Sequence, residues 1–238
     1  FTDNIGSEKG TIYIVPDESE SPSSLISITK CYFGKNKVND CSSIYIEPGS
    51  KRSIKIDSCT FDNEKGGIVL DDFKSGAEIS NNHFLNIQDK SALIIKHYAD
   101  SDSDSDKITI IGCTFDSCTG IDNKCFDIIS NSRVFTFENN IIKNNIGTGH
   151  SNYFGTFNLN KKIANFELFN ISFVNNVCNS LYGGGIGIQF LGIAQLNFNK
   201  CEFKENSAKQ DNTKSRPTQN ADQQYYNGDG GGIQLGYI

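Results

Sequence analysis

The sequence predicts an all-β fold, a right-handed parallel β-helix, as one solenoid domain over residues 1–238. Three observations carry that expectation: a short repeat that recurs along the chain, a composition suited to strands, and the want of any helical stripe. The repeat reads apolar-x-apolar, two residues, Cys or Asn, one residue, Phe, then often Asn three residues on. It runs through Ile26, Ile28, Cys31, Phe33 and Asn36, then Ile54, Ile56, Cys59 and Phe61, with a weaker copy at Ile79, Asn82 and Phe84. It continues in Ile108, Ile110, Cys113 and Phe115, where Cys118 stands in for the Asn, and in Phe135, Phe137, Asn140, Ile142 and Asn145. Phe166, Leu168, Ile171, Phe173 and Asn176, then Leu196, Phe198, Cys201, Phe203 and Asn206, complete seven copies. The period averages about 28 residues, and such self-similarity marks stacked units that bury a core only together.

A second element lies between these copies, a pair of alternating apolar residues preceded by small ones. It appears as Ile12/Ile14, Ile44/Ile46, Ile68/Leu70, Leu93/Ile95, Phe126/Ile128, Phe157/Leu159, Ile186/Ile188 and Ile233/Leu235. Alternation with period two places each pair on one face of a strand. The break in alternation before the Cys/Asn position marks a bend that splits the first segment. At about 4.8 Å per stacked strand, about seven to eight rungs give a rod of roughly 35–40 Å.

Composition agrees. The chain has 30 Ile against 10 Leu and 7 Ala, with 17 Phe and 9 Tyr, and β-branched and aromatic residues suit pleated strands. Its 27 Asn and 22 Gly supply turns. No window sustains an i, i+3, i+4, i+7 apolar stripe. A net charge of −6 argues against nucleic acid as a partner, and no apolar run is long enough to insert in a membrane. The chain contains no Met, and its last eight residues carry no charge, so an internal fragment of a longer β-helix is expected.

The Phe-x-x-Asn and Gly-Gly-x-Ile elements, best seen in SCTFDNEKGGIVLDD (58–72) and CEFKEN…GDGGGIQLG, resemble repeats of chlamydial polymorphic outer-membrane proteins. They are also similar to Asn- and Ile-rich β-helix surface proteins of parasitic protists such as trichomonads. The resemblance implies a pectate-lyase-like solenoid and an extracellular or cell-surface location. Polysaccharide lyases and hydrolases share that architecture with catalytic residues of their own.

Candidate sites follow from the strand register. Outward positions of the second element stack Glu47, Asp71 and Lys96, with Asp72 beside them, and a carboxylate pair is what glycoside hydrolysis requires. Glu47, Asp71 and Asp72 are therefore the weak catalytic candidates; the hydrolase signatures are met only by Asp71-Asp72 and Gly149-His150, and the three arginines (Arg52, Arg133, Arg216) sit in loops. One position over, Tyr13, Tyr45, Val69 and Ile94 form an apolar outer strip, a candidate binding face, followed by Asp127, Asn158, Gly187 and Gln234. A long insertion from about Ser207 to Gly228 is expected to project as a polar loop, with Tyr225 and Tyr226 at its return as binding candidates. Asp100, Asp102, Asp104 and Asp106 alternate as calcium ligands would, without the glycine and glutamate of an EF-hand loop. Scattered His83, His97 and His150 and the lack of a Cys-x-x-Cys argue against zinc, and no cofactor is implied. Cys31 and Cys59 fall on adjacent rungs within disulfide reach, and Asn170-Ile-Ser172 is the one glycosylation sequon, read as lying within a strand.

Three functions remain open. The first is a non-enzymatic segment of a cell-surface or secreted protein, adhesive or building an extracellular layer or filament. The second is a carbohydrate-active enzyme, and the third a structural scaffold piece of a larger assembly. Expected partners are other rungs of the same protein or neighbouring copies stacked end to end, with a glycan or a host or cell-surface protein as ligand.

Overall fold

A computed structural model describes residues 1–6, 9–17, 24–38, 42–98, 107–121, 125–132, 134–149, 155–159, 165–180, 188–191, 195–210 and 234–235. Its described residues form no helix; parallel sheets stack as a β-solenoid. The first segment of each repeat does bend, and the bend separates two seven-stranded sheets. The first sheet runs from Leu25–Thr29 through Ser53–Asp57, Ala77–Ser80, Ile108–Ile111, Phe135–Glu138 and Asn165–Phe169 to Gln195–Asn199. The second is built of three-residue strands, from Tyr32–Gly34 to Glu202–Lys204. The second element of each repeat makes a third sheet of eight strands, from Gly10–Ile14 to Gln234–Leu235. A four-stranded sheet (Thr119–Ile121, Ile146–Gly149, Val177–Ser180, Ser207–Gln210) follows the second on later rungs.

Two corners of each rung have one construction. A residue in the left-handed region is followed by one whose side chain points inward. The left-handed residues come five apart, at 30 and 35, 58 and 63, 81 and 86, 112 and 117, 139 and 144, 170 and 175, and 200 and 205, with φ between 52° and 67°. Asn tolerates this region best, which accounts for much of the Asn content; Gly112 meets it without strain. The same corner opens the chain: Asp3 has φ 55°, Phe1 stacks on Phe33 at 5.1 Å, and the Asn4 N–H donates to Asn36 Oδ1 at 3.0 Å. Phe1 to Asn4 is thus an eighth copy of the Phe-x-x-Asn element, inconspicuous in the sequence because no apolar-x-apolar pair stands before it.

At most corners the inward residue is Asn or Cys and satisfies buried backbone; Ile87 and Ile171 are apolar exceptions. Asn82 Oδ1 accepts the Cys59 N–H at 2.9 Å while its Nδ2 donates to the Ile56 carbonyl at 2.8 Å. Asn140 does the same for Cys113 and Ile110. Cysteine substitutes in the donor role: Cys113 Sγ reaches the Ile79 carbonyl at 3.5 Å and Cys201 Sγ the Leu168 carbonyl at 3.1 Å. A buried polar group is costly only when unpaired, so Asn and Cys interchange here.

Inside, five consecutive rungs bury inward side chains from all three sheets, such as Ile56, Phe61 and Leu70, or Ile110, Phe115 and Ile128. This is the enclosed core of about five turns, shorter than the rung count expected from the sequence. At the first and last described rungs the same positions have a described neighbour on one side only: Ile12 and Ile14 are half-buried, and Phe198 and Phe203 are 40% and 43% exposed. The glycine at 67, just before the strand Ile68–Phe73, has a steric cause. A Cβ on Gly67 would lie 2.1 Å from the Ala92 carbonyl.

The register corrects one row. Phe157 pairs with Ile128, and Leu159 with Ser130, two residues away from the alignment expected. The outward row therefore runs from Asp127 to Thr156, Gln189 and Gln234, not to Asn158 and Gly187. A slip of two residues keeps every side chain on its face, so alternation alone cannot detect it.

Candidate functional site

The third sheet presents its outer face where the sequence placed both the acidic stack and the apolar strip. Tyr13, Tyr45, Val69 and Ile94 are Cα partners on successive strands, in the expected order. They do not form a uniform apolar surface. Tyr13 is 42% exposed, Tyr45 and Ile94 are half-buried, and Val69 is 8% exposed.

The tyrosines sit in a charged frame. Their rings lie 6.0 Å apart at 50°. The Lys9 ammonium caps them, 5.1 Å from the Tyr13 centroid and 5.9 Å from that of Tyr45, an arrangement that favours a cation over the ring face. Lys9 pairs with Glu47, to which the Tyr13 hydroxyl also donates. Tyr45 Oη donates to Asp71 Oδ2 at 3.2 Å, and Asp71 Oδ1 meets Lys96 at 3.2 Å.

These pairings decide the chemistry available to the three candidate carboxylates. Hydrogen bonds from Lys9 and Tyr13 hold Glu47 below the usual carboxylate range. A general acid needs the opposite shift. Asp72 pairs with Lys74 at 2.5 Å, and its φ of 44° reflects a β-bulge in which Asp71 and Asp72 together fill the interval that one residue, Lys96, fills on the next strand. The bulge turns Asp72 toward Lys74, while Asp71 keeps its place beside Lys96. Burial, and then the neighbouring Asp71 charge, raise the Tyr45 phenol.

The remaining candidates separate from this face. Asp100, Asp102, Asp104, Asp106, Tyr225 and Tyr226 lie outside the described residues, and no group of three or more His, Cys, Asp or Glu placed to hold a metal occurs among the described residues. Ser207–Gln210 form a strand, so the long insertion begins after it rather than at Ser207. Asn170 stands on an exposed left-handed corner, not within a strand, and its Nδ2 donates to Asn139 Oδ1 at 2.8 Å. Ile171 does point inward, 1% exposed. Cys31 and Cys59 occupy adjacent rungs as free thiols, not a disulfide: the Cys31 N–H donates to Cys59 Sγ at 3.5 Å, and Cys59 Sγ donates on to backbone carbonyls.

Two features escaped the sequence. An open groove of about 300 Å³ crosses the outer face of the first sheet, lined by Leu25, Lys55, Glu78, Lys107 and Thr109 among others, with Lys55 and Glu78 paired at 2.9 Å. Alternating polar residues there read as an ordinary solvated face. The second feature is His97, wholly buried against Phe73 with neither ring nitrogen hydrogen-bonded. Its position at the end of an apolar alternation (Leu93, Ile95, His97) was the available signal. No protein-family model, no curated protein and no solved structure matches this chain.

Proposed function

We propose that this chain is a non-enzymatic solenoid segment of a cell-surface or secreted protein, of the kind seen in polymorphic-outer-membrane-like repeats. The rungs carry structure, further rungs or neighbouring copies stack on its ends, and the outer face of the third sheet carries adhesion. The observation behind this reading is the Lys9-capped tyrosine pair, an exposed aromatic platform framed by Glu47 and Asp71. Rigid aromatic rings edged by hydrogen-bonding groups suit the faces and hydroxyls of sugars, or a protein surface. The same frame speaks against hydrolysis, since each candidate carboxylate is engaged by a cation.

The test pairs binding with turnover. Immobilised neutral and anionic polysaccharides should retain the wild-type protein and release the Tyr13→Ala/Tyr45→Ala variant. Prolonged incubation with the same polymers should generate no new reducing ends or unsaturated products. Product formation would overturn the reading in favour of a carbohydrate-active enzyme. Equal retention of both proteins would move adhesion off this face.

A further inference from the structure

Two columns of inward residues face each other across the turn that joins the second sheet to the third. One is the residue after the second left-handed corner: Asn36, Glu64, Ile87, Cys118 and Asn145 on successive rungs. The other is the residue immediately before the paired third-sheet strands: Ser43, Gly67, Ala92 and Cys125. The columns lie in direct contact. Ser43 Oγ donates to Glu64 Oε2 at 2.7 Å, bridging from one column to the other. On the next rung the two positions are held by Ile87 and Ala92, both fully buried. On the rung after that, they are held by two cysteines.

Cys118 and Cys125 are 4% and 7% exposed, and their thiols are in hydrogen-bond contact. Backbone fixes each from a different side. The Cys118 N–H donates to Asn145 Oδ1 at 2.8 Å, and the Cys125 carbonyl accepts the Ala92 N–H at 2.8 Å. The pair belongs to one rung, whereas Cys31 and Cys59 belong to different rungs; all four stand as free thiols here, and Cys118 Sγ, like Cys59 Sγ, also reaches a backbone carbonyl of the preceding rung, that of Phe84 at 3.6 Å.

We infer that Cys118 and Cys125 are a disulfide site that closes this turn when a disulfide donor is present. One cysteine thiolate attacks the donor's sulfur–sulfur bond, forming a mixed disulfide and releasing one donor thiol. The second thiolate then displaces the other donor thiol and forms the Cys118–Cys125 bond. The two cysteine protons end on the two donor thiols; the cysteines are oxidised and the donor disulfide is reduced. Burial pushes the Cys125 thiol well above its usual range, which disfavours the attacking thiolate in the closed rung. Exchange therefore takes place while the chain folds, before the turn is covered. The closed loop constrains the unfolded chain and stabilises the rung.

The inference needs only a disulfide donor, so it stands or falls apart from the adhesive role. Protein secreted into an oxidising expression compartment is purified under native conditions, alkylated in denaturant without reduction, and digested with trypsin. Lys124 lies between the two cysteines, so cleavage there leaves the peptides 108–124 and 125–133 joined through sulfur until reductant is added. The expected result is that joined pair, lighter by two hydrogens than the sum of its reduced parts, with Cys113 alkylated. Reductant should also lower the melting temperature of the wild type and leave that of the Cys118→Ala/Cys125→Ala variant unchanged. Full alkylation of both cysteines, or linkage of either to Cys31, Cys59 or another cysteine, would overturn it.

Discussion

The two halves of the core solve one packing problem in different ways. In the earlier rungs Phe33, Phe61, Phe84 and Phe115 form a column down the second sheet, with centroids 4.8–5.0 Å apart and planes within 6–9° of parallel. The other two sheets meet that column largely with aliphatic residues, as Ile110 and Ile128 do for Phe115, with Phe126 adding a tilted ring 6.2 Å away. On the next rung the column residue is Ile142, and its flanking positions become Phe137 and Phe157. Aromatic and aliphatic residues have exchanged places at these three positions, and Gly155 opposite Phe126 makes room for the added ring. The rings of this rung no longer stack, and parallel stacking returns at Phe173 and Phe203, 5.0 Å apart at 8°. Phe137 and Phe157 meet edge to face at 79°, and Phe126 and Phe157 tilt by 49°. A repeat thus constrains the volume of a rung more tightly than the residue at any one position.

The sharpest way to break the stacked half is at its middle. Phe84 is fully buried between Phe61 and Phe115, and Phe84→Ala should cost about 4 kcal/mol in urea unfolding, the usual toll of a large core cavity. A smaller loss than from Phe157→Ala in the tilted cluster would invert the comparison.

His97 sharpens it next, as a polar ring packed at 56° to Phe73. Burial, helped by the nearby Lys74 charge, lowers its imidazole from 6.5 to about 4. Above pH 6.5 the ring is neutral folded or unfolded, and its contribution to stability is fully present. As pH falls from 6.5 to about 4 the unfolded chain takes up a proton that the folded chain resists. Stability should therefore drop across that window by about 3 kcal/mol and then level off. Equilibrium unfolding at stepped pH measures this, and His97→Phe should flatten that part of the profile.

Forcing the stack through the second half has an intermediate effect. Ile142→Phe overfills its rung and should cost about 2 kcal/mol. Combining it with Phe137→Ile restores the earlier pattern of Ile110 and Phe115, and should recover at least half of the loss in a double-mutant cycle. Additive losses would show that the rungs do not trade volume. The smallest change is expected outside the core: Tyr13→Ala should alter stability by under about 0.5 kcal/mol while weakening any ligand held by the tyrosine pair.

What the sequence disclosed tracks what is local and periodic. The inward residues from Ile26 to Phe173 repeat with strand alternation, so the parallel stack and its core were legible from spacing alone. The bend before Cys59 and its equivalents was visible as a break in period. The pairing of Phe157 with Ile128 was not, because faces are conserved under a two-residue shift. The orientation of Asp72 was hidden for a related reason: the bulge at Asp71 and Asp72 adds a residue that alternation cannot foresee. Contacts between columns, such as Ser43 with Glu64 or Cys118 with Cys125, depend on how closely two corners approach, and that distance is a property of the closed rung.

The distribution of corner asparagines bears on how such a rod carries load. Inter-strand hydrogen bonds in every sheet point along the stacking axis, so tension on that axis crosses each joint between rungs in turn, and the weakest joint sets the strength. Stacked phenylalanine joints use both groups at their corners: Cys113 and Cys118 between Phe84 and Phe115, Asn82 between Phe61 and Phe84, and Cys201 and Asn206 between Phe173 and Phe203. The joint between Phe115 and Ile142 has no such pair, and there Asn140 and Asn145 both reach across to backbone on the preceding rung. Asn176 repeats the bond one joint further. Directional amide bonds thus cross joints whether or not their rings stack, and at the joint between Phe115 and Ile142 they do so at both corners.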